Sequence, residues 1–123
     1  MKTGDIFFWE TDQAIGHPRR NKYHVYICAA DWRTQSHTFL FISSADYGGD
    51  YKILRTDYPF LQREESYISC NGIVSYTDDE LQYAKVVHKG KIRDTHLREL
   101  REAIASSDTM EQWQINLVCK FLS

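Results

Sequence analysis

The sequence predicts a mainly β protein with helices at its C-terminal end, arranged as a small antiparallel barrel or sandwich. Short β-rich segments follow one another from residue 4 to residue 76, and no helical pattern separates them. The last third then changes to apolar residues spaced three and four apart, as in amphipathic helices. Because a chain of 123 residues buries one core, we expect a single domain, with the barrel at about 3–92 and the helices at about 94–122.

The first two predicted strands flank a long polar segment. Residues 4–9 pass from Gly-Asp into Ile-Phe-Phe-Trp, a composition typical of a strand, and residues 22–30 form the second β-rich run. Between them, residues 10–21 lose their apolar content and contain Gly16 and Pro18, which indicates a loop. A loop of about a dozen residues in a compact domain usually has a functional reason.

The remaining strands follow from the same reasoning. Residues 37–44 predict a third strand, and residues 51–61 predict a fourth together with the start of a fifth. Pro59 interrupts this last run, because proline donates no hydrogen bond and prefers the end of a strand. Residues 66–76 predict a further strand, in which Asn71-Gly72 indicates a turn, a kink or a bulge.

Two amphipathic helices are expected in the last third. The first has Asp94 or Thr95 as its N-cap, and the second covers residues 108–122 with Asp108 or Thr109 as its N-cap. The predicted apolar stripes are Leu97, Leu100, Ala103 and Ile104 in the first helix and Met110, Trp113, Leu117, Val118 and Phe121 in the second.

Composition argues against several classes of protein. No window approaches the roughly 18 to 20 apolar residues that a membrane span needs. The net charge of −2 argues against the broad basic face of a nonspecific nucleic-acid binder, so nucleic-acid binding would need a local patch. The N-terminal segment shows no export signal, and three cysteines without a CxxC pair fit a reducing compartment. We therefore expect a cytoplasmic protein with no membrane contact.

Familiar nucleotide, metal and hydrolase motifs are absent from the sequence. There is no Walker loop, GxGxxG, GxSxG, HExxH or CxxC pattern. The five histidines show no metal-ligand spacing and are expected to be ordinary surface or strand residues. We therefore predict neither a metal nor another cofactor.

The loop between the first two strands concentrates positive charge. His17, Arg19, Arg20 and Lys22 place three cations and one group that titrates near neutrality within six residues. One guanidinium group can bind two phosphate oxygens at once, and a histidine can transfer a proton near pH 7. This equipment indicates recognition of a phosphate diester. The alternative is a solvated basic loop that keeps a hairpin from aggregating.

Hydroxyl, aromatic and basic side chains offer further candidates. Ser43 and Ser44 end the third strand, where they can either hydrogen-bond a phosphate or simply terminate the strand. Tyr47 lies among polar neighbours, as do two later tyrosines at positions 51 and 58, and these rings can either stack bases or cover the core. The basic run containing Lys89 and Lys91 either extends a groove or forms an ordinary solvated face.

Several segments together resemble one protein family. In order, they are the opening GDIFFW, the basic loop entering KYHVYIC, the hydroxyl pair after FLFI, the SYISC strand and the ending KGKI…THLRELREAI with a turn at Gly90. This order of segments, over most of residues 3–105, resembles the PemK/MazF family of toxin ribonucleases. The family usually has an Arg-Pro pair at the start of the second strand, where this chain has Lys22-Tyr23.

The resemblance implies an SH3-like antiparallel β-barrel of the CcdB/MazF type, a homodimer, and metal-independent cleavage of single-stranded RNA held in check by an antitoxin protein. In such a reaction the 2′-hydroxyl attacks the adjacent phosphate, which requires a proton acceptor, a proton donor and cations. The family's basic residue falls near Arg20 to Lys22, and its hydroxyl falls on Ser43 or Ser44. The residues expected to act in catalysis are His17, Arg20, Lys22, Ser43 and Ser44, and those expected to bind RNA are Arg19, Tyr47, Lys89 and Lys91.

Two functional hypotheses follow. The first is a toxin-like endoribonuclease of a toxin-antitoxin pair. The second, favoured by the missing Arg-Pro pair and the acidic net charge, is a noncatalytic SH3-like module that binds nucleic acid or a peptide.

Overall fold

A computed structural model describes residues 1–12, 20–31 and 36–122 of the chain. Within these ranges the backbone forms seven strands and three helices, and the prediction of a mainly β fold with C-terminal helices is confirmed. The strands are β1 Asp5–Thr11, β2 Arg20–Asp31, β3 Ser36–Ser43, β4 Tyr51–Leu54, β5 Glu65–Ile68, β6 Val74–Thr77 and β7 Val87–Lys91. The helices are α1 Asp78–Tyr83, α2 Asp94–Ala105 and α3 Gln112–Phe121.

The strands form one curled antiparallel sheet. Its order is β4-β5-β3-β2-β1-β7, and β6 pairs with the first half of β3 while β5 pairs with the second half. The pairing of β2 with β3 shifts register between Tyr26 and Cys28 and again between Ala29 and Asp31. Such irregularities bend a strand and increase its twist, so the sheet curls into a half-barrel.

Both faces of the sheet carry buried residues, as the alternation along β1 shows. Ile6 belongs to the larger core, which α2 and α3 cover, while Phe7 and Trp9 point to the opposite face. That opposite face holds a small aromatic cluster, closed by side chains from α1 and its flanks. The buried members of the cluster are Phe7, Trp9, Tyr26, Phe39 and Tyr76.

The first C-terminal helix matches its predicted stripe but not its predicted cap. Leu97, Leu100 and Ile104 are buried against the larger core. The N-cap is Arg93, because this residue has extended dihedral angles and its carbonyl accepts from the backbone N–H of Leu97. Asp94 is therefore the first helical residue, where its charge favours the helix dipole.

The second C-terminal helix begins later than predicted, at Gln112. The hydroxyl of Ser107 donates to the carbonyl of Cys70 at 2.7 Å and accepts from the backbone N–H of Met110 at 3.0 Å, which holds the preceding residues in a turn. The predicted apolar stripe is confirmed in part. Met110 and Val118 of that stripe are buried, together with Ile115 and Leu122, whereas Trp113 and Phe121 are exposed.

Three further predictions differ from the structure. Residues 55–61 form turns rather than the start of a strand, since Tyr58 N–H bonds to the carbonyl of Leu54 and Leu61 N–H to that of Tyr58. The predicted strand at 66–76 is two strands, separated at Asn71-Gly72. Gly90, predicted to form a turn, lies inside β7.

Helix α1 has a sequence signal that the prediction missed. Thr77 accepts from the backbone N–H of Glu80, and the Glu80 carboxylate accepts from the backbone N–H of Thr77. This reciprocal cap has the pattern Thr-x-x-Glu, which marks a helix start even in a helix too short to show periodicity. None of the helices in the described ranges has the length and apolar character that a membrane span requires.

Candidate functional site

A pocket of about 310 Å³ opens at one end of the sheet, where β2 begins and β3 ends. Antiparallel pairing brings these ends together, because Trp9 of β1 pairs with Lys22 of β2, and the next residue of β2, Tyr23, pairs with Ile42 of β3. The segment before β5 closes the opposite wall. The residues lining the pocket are Phe8, Arg20, Asn21, Lys22, Tyr23, Ile42, Ser43, Ser44, Gln62, Arg63 and Ser66.

Lys22 is the central polar group of the pocket. Its side chain is almost fully buried, with 6% of its surface exposed, and its Nζ donates to Ser43 Oγ at 2.9 Å. The ammonium also lies 5.2 Å from the centre of the Phe41 ring. Buried lysines are rare unless they are paired with an opposite charge, and none of the described carboxylates forms an ion pair with this one.

Burial lowers the pKa of Lys22 from its ordinary value of 10.5 to about 8, and the nearby positive charge of Arg20 lowers it further in the same direction. Near neutral pH a useful fraction of this amine is therefore unprotonated. A lysine of this kind can accept a proton, and its depressed pKa in a cleft is typical of a functional group.

The walls of the pocket are positively charged. Arg20 and Arg63 join Lys22 there, and no carboxylate or histidine among the described residues lines the pocket. Arg63 stands next to two acidic residues in the sequence, but Glu64 lies 3.9 Å from Arg55 and Glu65 lies 4.0 Å from Lys52. Arg63 thus has no described carboxylate partner, and its charge is available to an anion.

The structure brings four of the predicted catalytic residues together. Arg20, Lys22, Ser43 and Ser44 all line the pocket, although they come from two strands about 20 residues apart in the chain. Ser44 is exposed at the rim, whereas Ser43 is half-buried against the lysine. Among these four residues, Lys22 and Ser43 are joined by a direct hydrogen bond between the two strands.

The other predicted site residues lie elsewhere. Lys89 is exposed on β7 beside the pocket, and its ammonium is 5.7 Å from the centre of a pocket ring, Phe8. Lys91 is exposed at the end of β7, and Tyr47 is exposed in a turn; neither lines the pocket. His17 and Arg19 fall outside the described residues, so their predicted roles stay predictions.

Two tyrosines considered for base stacking cover the core instead. Tyr58 is buried, its hydroxyl lies 2.6 Å from His96 Nδ1, and it accepts from the backbone N–H of Arg93 at 3.0 Å. Tyr51 is half-buried and donates to Glu99. Both hydroxyls thus connect α2 and its N-cap to the segment that contains β4 and the turns after it.

A second buried titratable side chain, His24, lies close to the pocket but does not line it. Its ring stacks on Trp9 with centres 3.5 Å apart, its Nε2 is 3.0 Å from the Tyr76 hydroxyl, and its Nδ1 is 3.0 Å from the Lys22 carbonyl. Burial lowers the pKa of His24 to about 3, an effect larger than the opposing hydrogen bond to the Lys22 carbonyl. This histidine stays neutral at physiological pH.

Among the pocket residues that sequence reasoning missed, Phe8 offers an aromatic ring and Arg63 a cation. The sequence places Phe8 only in a strand, although alternation along GDIFFW puts it on the face opposite Trp9. Arg63 lies in a polar segment that indicated a turn, and no local pattern shows that this turn reaches β2. Both positions depend on contacts between distant parts of the chain.

The arrangement suits an anion flanked by an aromatic group. It offers two guanidinium groups, a lysine that can exchange a proton, and two hydroxyls on one concave surface. Within the described part of the chain, no three His, Cys, Asp or Glu side chains are grouped closely enough to hold a metal ion. Neither the protein-family models nor the curated proteins compared with this chain show a match.

Proposed function

We propose that this protein is an endoribonuclease that cuts single-stranded RNA without a metal, at the pocket around Lys22 and Ser43. One observation carries the proposal: a nearly buried lysine with a pKa of about 8 donates to a serine hydroxyl inside a cationic pocket. Such a group is poised to take a proton close to a bound phosphate diester.

The proposed reaction is an internal transesterification. Lys22, in its neutral form, accepts the proton of the ribose 2′-hydroxyl while the 2′-oxygen forms a bond to the adjacent phosphorus. The bond from phosphorus to the 5′-oxygen breaks, and His17 is the proposed donor of the proton that this oxygen takes up. The products are a 2′,3′-cyclic phosphate and a 5′-hydroxyl end.

The remaining pocket residues support the charge that develops on the phosphate. Arg20 and Arg63 would neutralise the extra negative charge of the pentavalent state. Stabilisation of this charge is usually the largest single contribution to catalysis. Ser43 and Ser44 would donate hydrogen bonds to phosphate oxygens. Among the residues expected to act in catalysis, Lys22 would be the proton acceptor, because its low pKa favours proton transfer.

The biological role that goes with this activity is that of a toxin. We propose that the chain acts in the cytoplasm as a homodimer and that an antitoxin protein restrains it. An acidic segment of the antitoxin would compete with RNA for the uncompensated charges of Arg20 and Arg63.

The test is cleavage of a long single-stranded RNA by the purified protein in excess chelator. We expect cleavage with cyclic phosphate ends, no cleavage of fully 2′-O-methylated RNA, and a loss of about 10²- to 10⁴-fold in rate for Lys22→Met, as removal of a general base costs. The matched control is Lys52→Met, which removes an exposed lysine of β4 outside the pocket. A folded wild-type protein that cuts no RNA would overturn the proposal.

A second candidate function is binding of RNA or an acidic peptide without catalysis. The observation that favours it is the lining of the pocket, where no described histidine or carboxylate accompanies the lysine. In that case wild-type protein would bind 2′-O-methylated RNA, Arg20→Ala would weaken this binding, and neither form would cut RNA or stop cell growth on induced expression.

A further inference from the structure

We infer that the ring of Phe8 is a stacking shelf for the nucleobase next to the phosphate in the pocket. This inference rests on the proposed function only in taking RNA as the ligand. It assigns a binding role to a residue that the reaction itself does not use.

Phe8 is an aromatic residue that neither core absorbs. Ile6, two positions earlier on the same face of β1, is fully buried beneath the helices, whereas Phe8 is half-buried and lines the pocket. The cover provided by α2 and α3 therefore ends between these two positions. Among the described residues, Phe8 is a member of neither the helix-covered core nor the aromatic cluster.

The ring packs against a second aromatic side chain of the pocket. Tyr23, its cross-strand partner in β2, lies with its ring centre 4.4 Å from that of Phe8. The Tyr23 hydroxyl donates to the carbonyl of Phe60 at 2.9 Å, and the centres of the Tyr23 and Phe60 rings are 5.7 Å apart. These contacts restrain Tyr23, and the packing of Tyr23 against Phe8 reduces the freedom that Phe8 would lose when a base stacks on it.

Cations lie near this ring. Arg20 and Arg63 line the same pocket, and the exposed ammonium of Lys89 lies over the ring, 5.7 Å from its centre. Proteins that bind single strands combine aromatic rings for the bases with cations that follow the phosphates. A base that stacks on Phe8 would displace the Lys89 ammonium, whose long side chain can then reach a neighbouring phosphate.

The test measures binding of short 2′-O-methylated RNA, which lacks the attacking hydroxyl and so separates binding from cleavage. We expect Phe8→Leu to weaken binding roughly 5- to 100-fold, as loss of one stacked base does, and Phe8→Tyr to bind like wild type. Replacing each base in turn by an abasic site should identify one position whose loss weakens wild type but has no further effect on Phe8→Leu.

The outcomes separate the shelf from the nuclease. Binding that Phe8→Leu leaves unchanged overturns the shelf, even if the protein cuts RNA. Base-dependent binding by a protein that cuts nothing supports the shelf and removes the nuclease. A wild type that binds no RNA overturns both.

A second variant covers the case in which Phe8→Leu does not fold. Phe8→Trp adds an indole at the pocket to the three tryptophans of the chain. Relative to wild type, this variant should show additional fluorescence quenching by the intact oligonucleotide but not by the one lacking the identified base. Equal additional quenching by both oligonucleotides, or none by either, would overturn the inference.

Discussion

Lys22 and His24 stand two residues apart on the same face of β2, and both are nearly or fully buried, yet their surroundings differ. His24 is enclosed by aromatic rings, with both ring nitrogens close to polar partners. Lys22 borders an open pocket and reaches a hydroxyl there. Burial lowers the pKa of both side chains. The difference shows that a shifted pKa indicates a reactive group only where the group can also meet a ligand.

The enclosed histidine should contribute to the loss of stability in acid. The unfolded chain protonates His24 below about pH 6.5, but the folded protein does so only near pH 3, so the unfolded state binds more protons between these values. Stability therefore falls as pH decreases through this window. We expect His24 to contribute a loss on the order of 3 kcal/mol between pH 7 and pH 4.

His24→Phe isolates this contribution. The new ring can still stack on Trp9, and the Tyr76 hydroxyl keeps its 2.8 Å hydrogen bond with Thr11. Urea unfolding at several pH values should show a shallower acid loss for His24→Phe than for wild type. Lys22 stays mostly protonated between pH 4 and pH 7, so its titration adds little to the difference in stability between the two proteins. Identical acid dependence in the two proteins would mean that His24 is not kept neutral by burial.

Lys22, which borders the open pocket, should lower stability while it supports activity. Its protonated form is held at a cost in the folded protein, so Lys22→Met should raise the free energy of unfolding at pH 7 by on the order of 2 kcal/mol while removing cleavage. This free energy is smaller than the full pKa shift of Lys22 would give, because part of the side chain faces the pocket and is screened by solvent.

The pH dependence makes this prediction specific. Because the folded pKa lies below the unfolded one, wild-type stability rises between pH 8 and 10.5 relative to Lys22→Met, and the advantage of the variant disappears. Denaturant unfolding at pH 7 and pH 10 measures the change, with Lys52→Met as the control that should not gain stability. A destabilised Lys22→Met at pH 7 would show that the lysine is a structural residue.

The same contrast explains which parts of the site were predictable. Lys22 and Ser43 meet because one begins and the other ends adjacent antiparallel strands, a relation that strand order alone implies. Phe8 and Arg63 enter the pocket through contacts across the sheet and from a turn, for which local sequence carries no signal.

The fold shows a similar division. Helix α2 kept its predicted apolar stripe because that stripe repeats over several turns. Helix α3 kept only part of its stripe, since Val118 is buried whereas Trp113 and Phe121 are exposed. Its start was not predictable, because it follows a turn held by hydrogen bonds of Ser107, one of which reaches the distant Cys70 carbonyl. The split of residues 66–76 into β5 and β6 likewise depends on which half of β3 each strand meets.

The smallest expected effect concerns the charge next to the lysine. The positive charge of Arg20 lowers the pKa of Lys22, so Arg20→Gln should raise that pKa by on the order of 0.5 pH units, as expected for one screened charge at this range. A 5′-phosphorothiolate link in the RNA removes the need for a proton donor, because its sulfur leaves without one. If neutral Lys22 is the proton acceptor, kcat/KM for this substrate rises with pH and levels off above about 8. The midpoint of this rise should move to higher pH in Arg20→Gln.

The control is Arg98→Gln, which removes an exposed arginine of α2 outside the pocket and should leave the midpoint in place. Arg20→Gln should also lower the plateau, because in the proposed reaction the guanidinium contacts the phosphate, but only the midpoint reports the charge on the lysine. His24→Phe should shift neither value, since a neutral ring exerts no charge on its neighbour. A midpoint that moved with His24 and not with Arg20 would assign the titration to the enclosed side chain and remove Lys22 as the base.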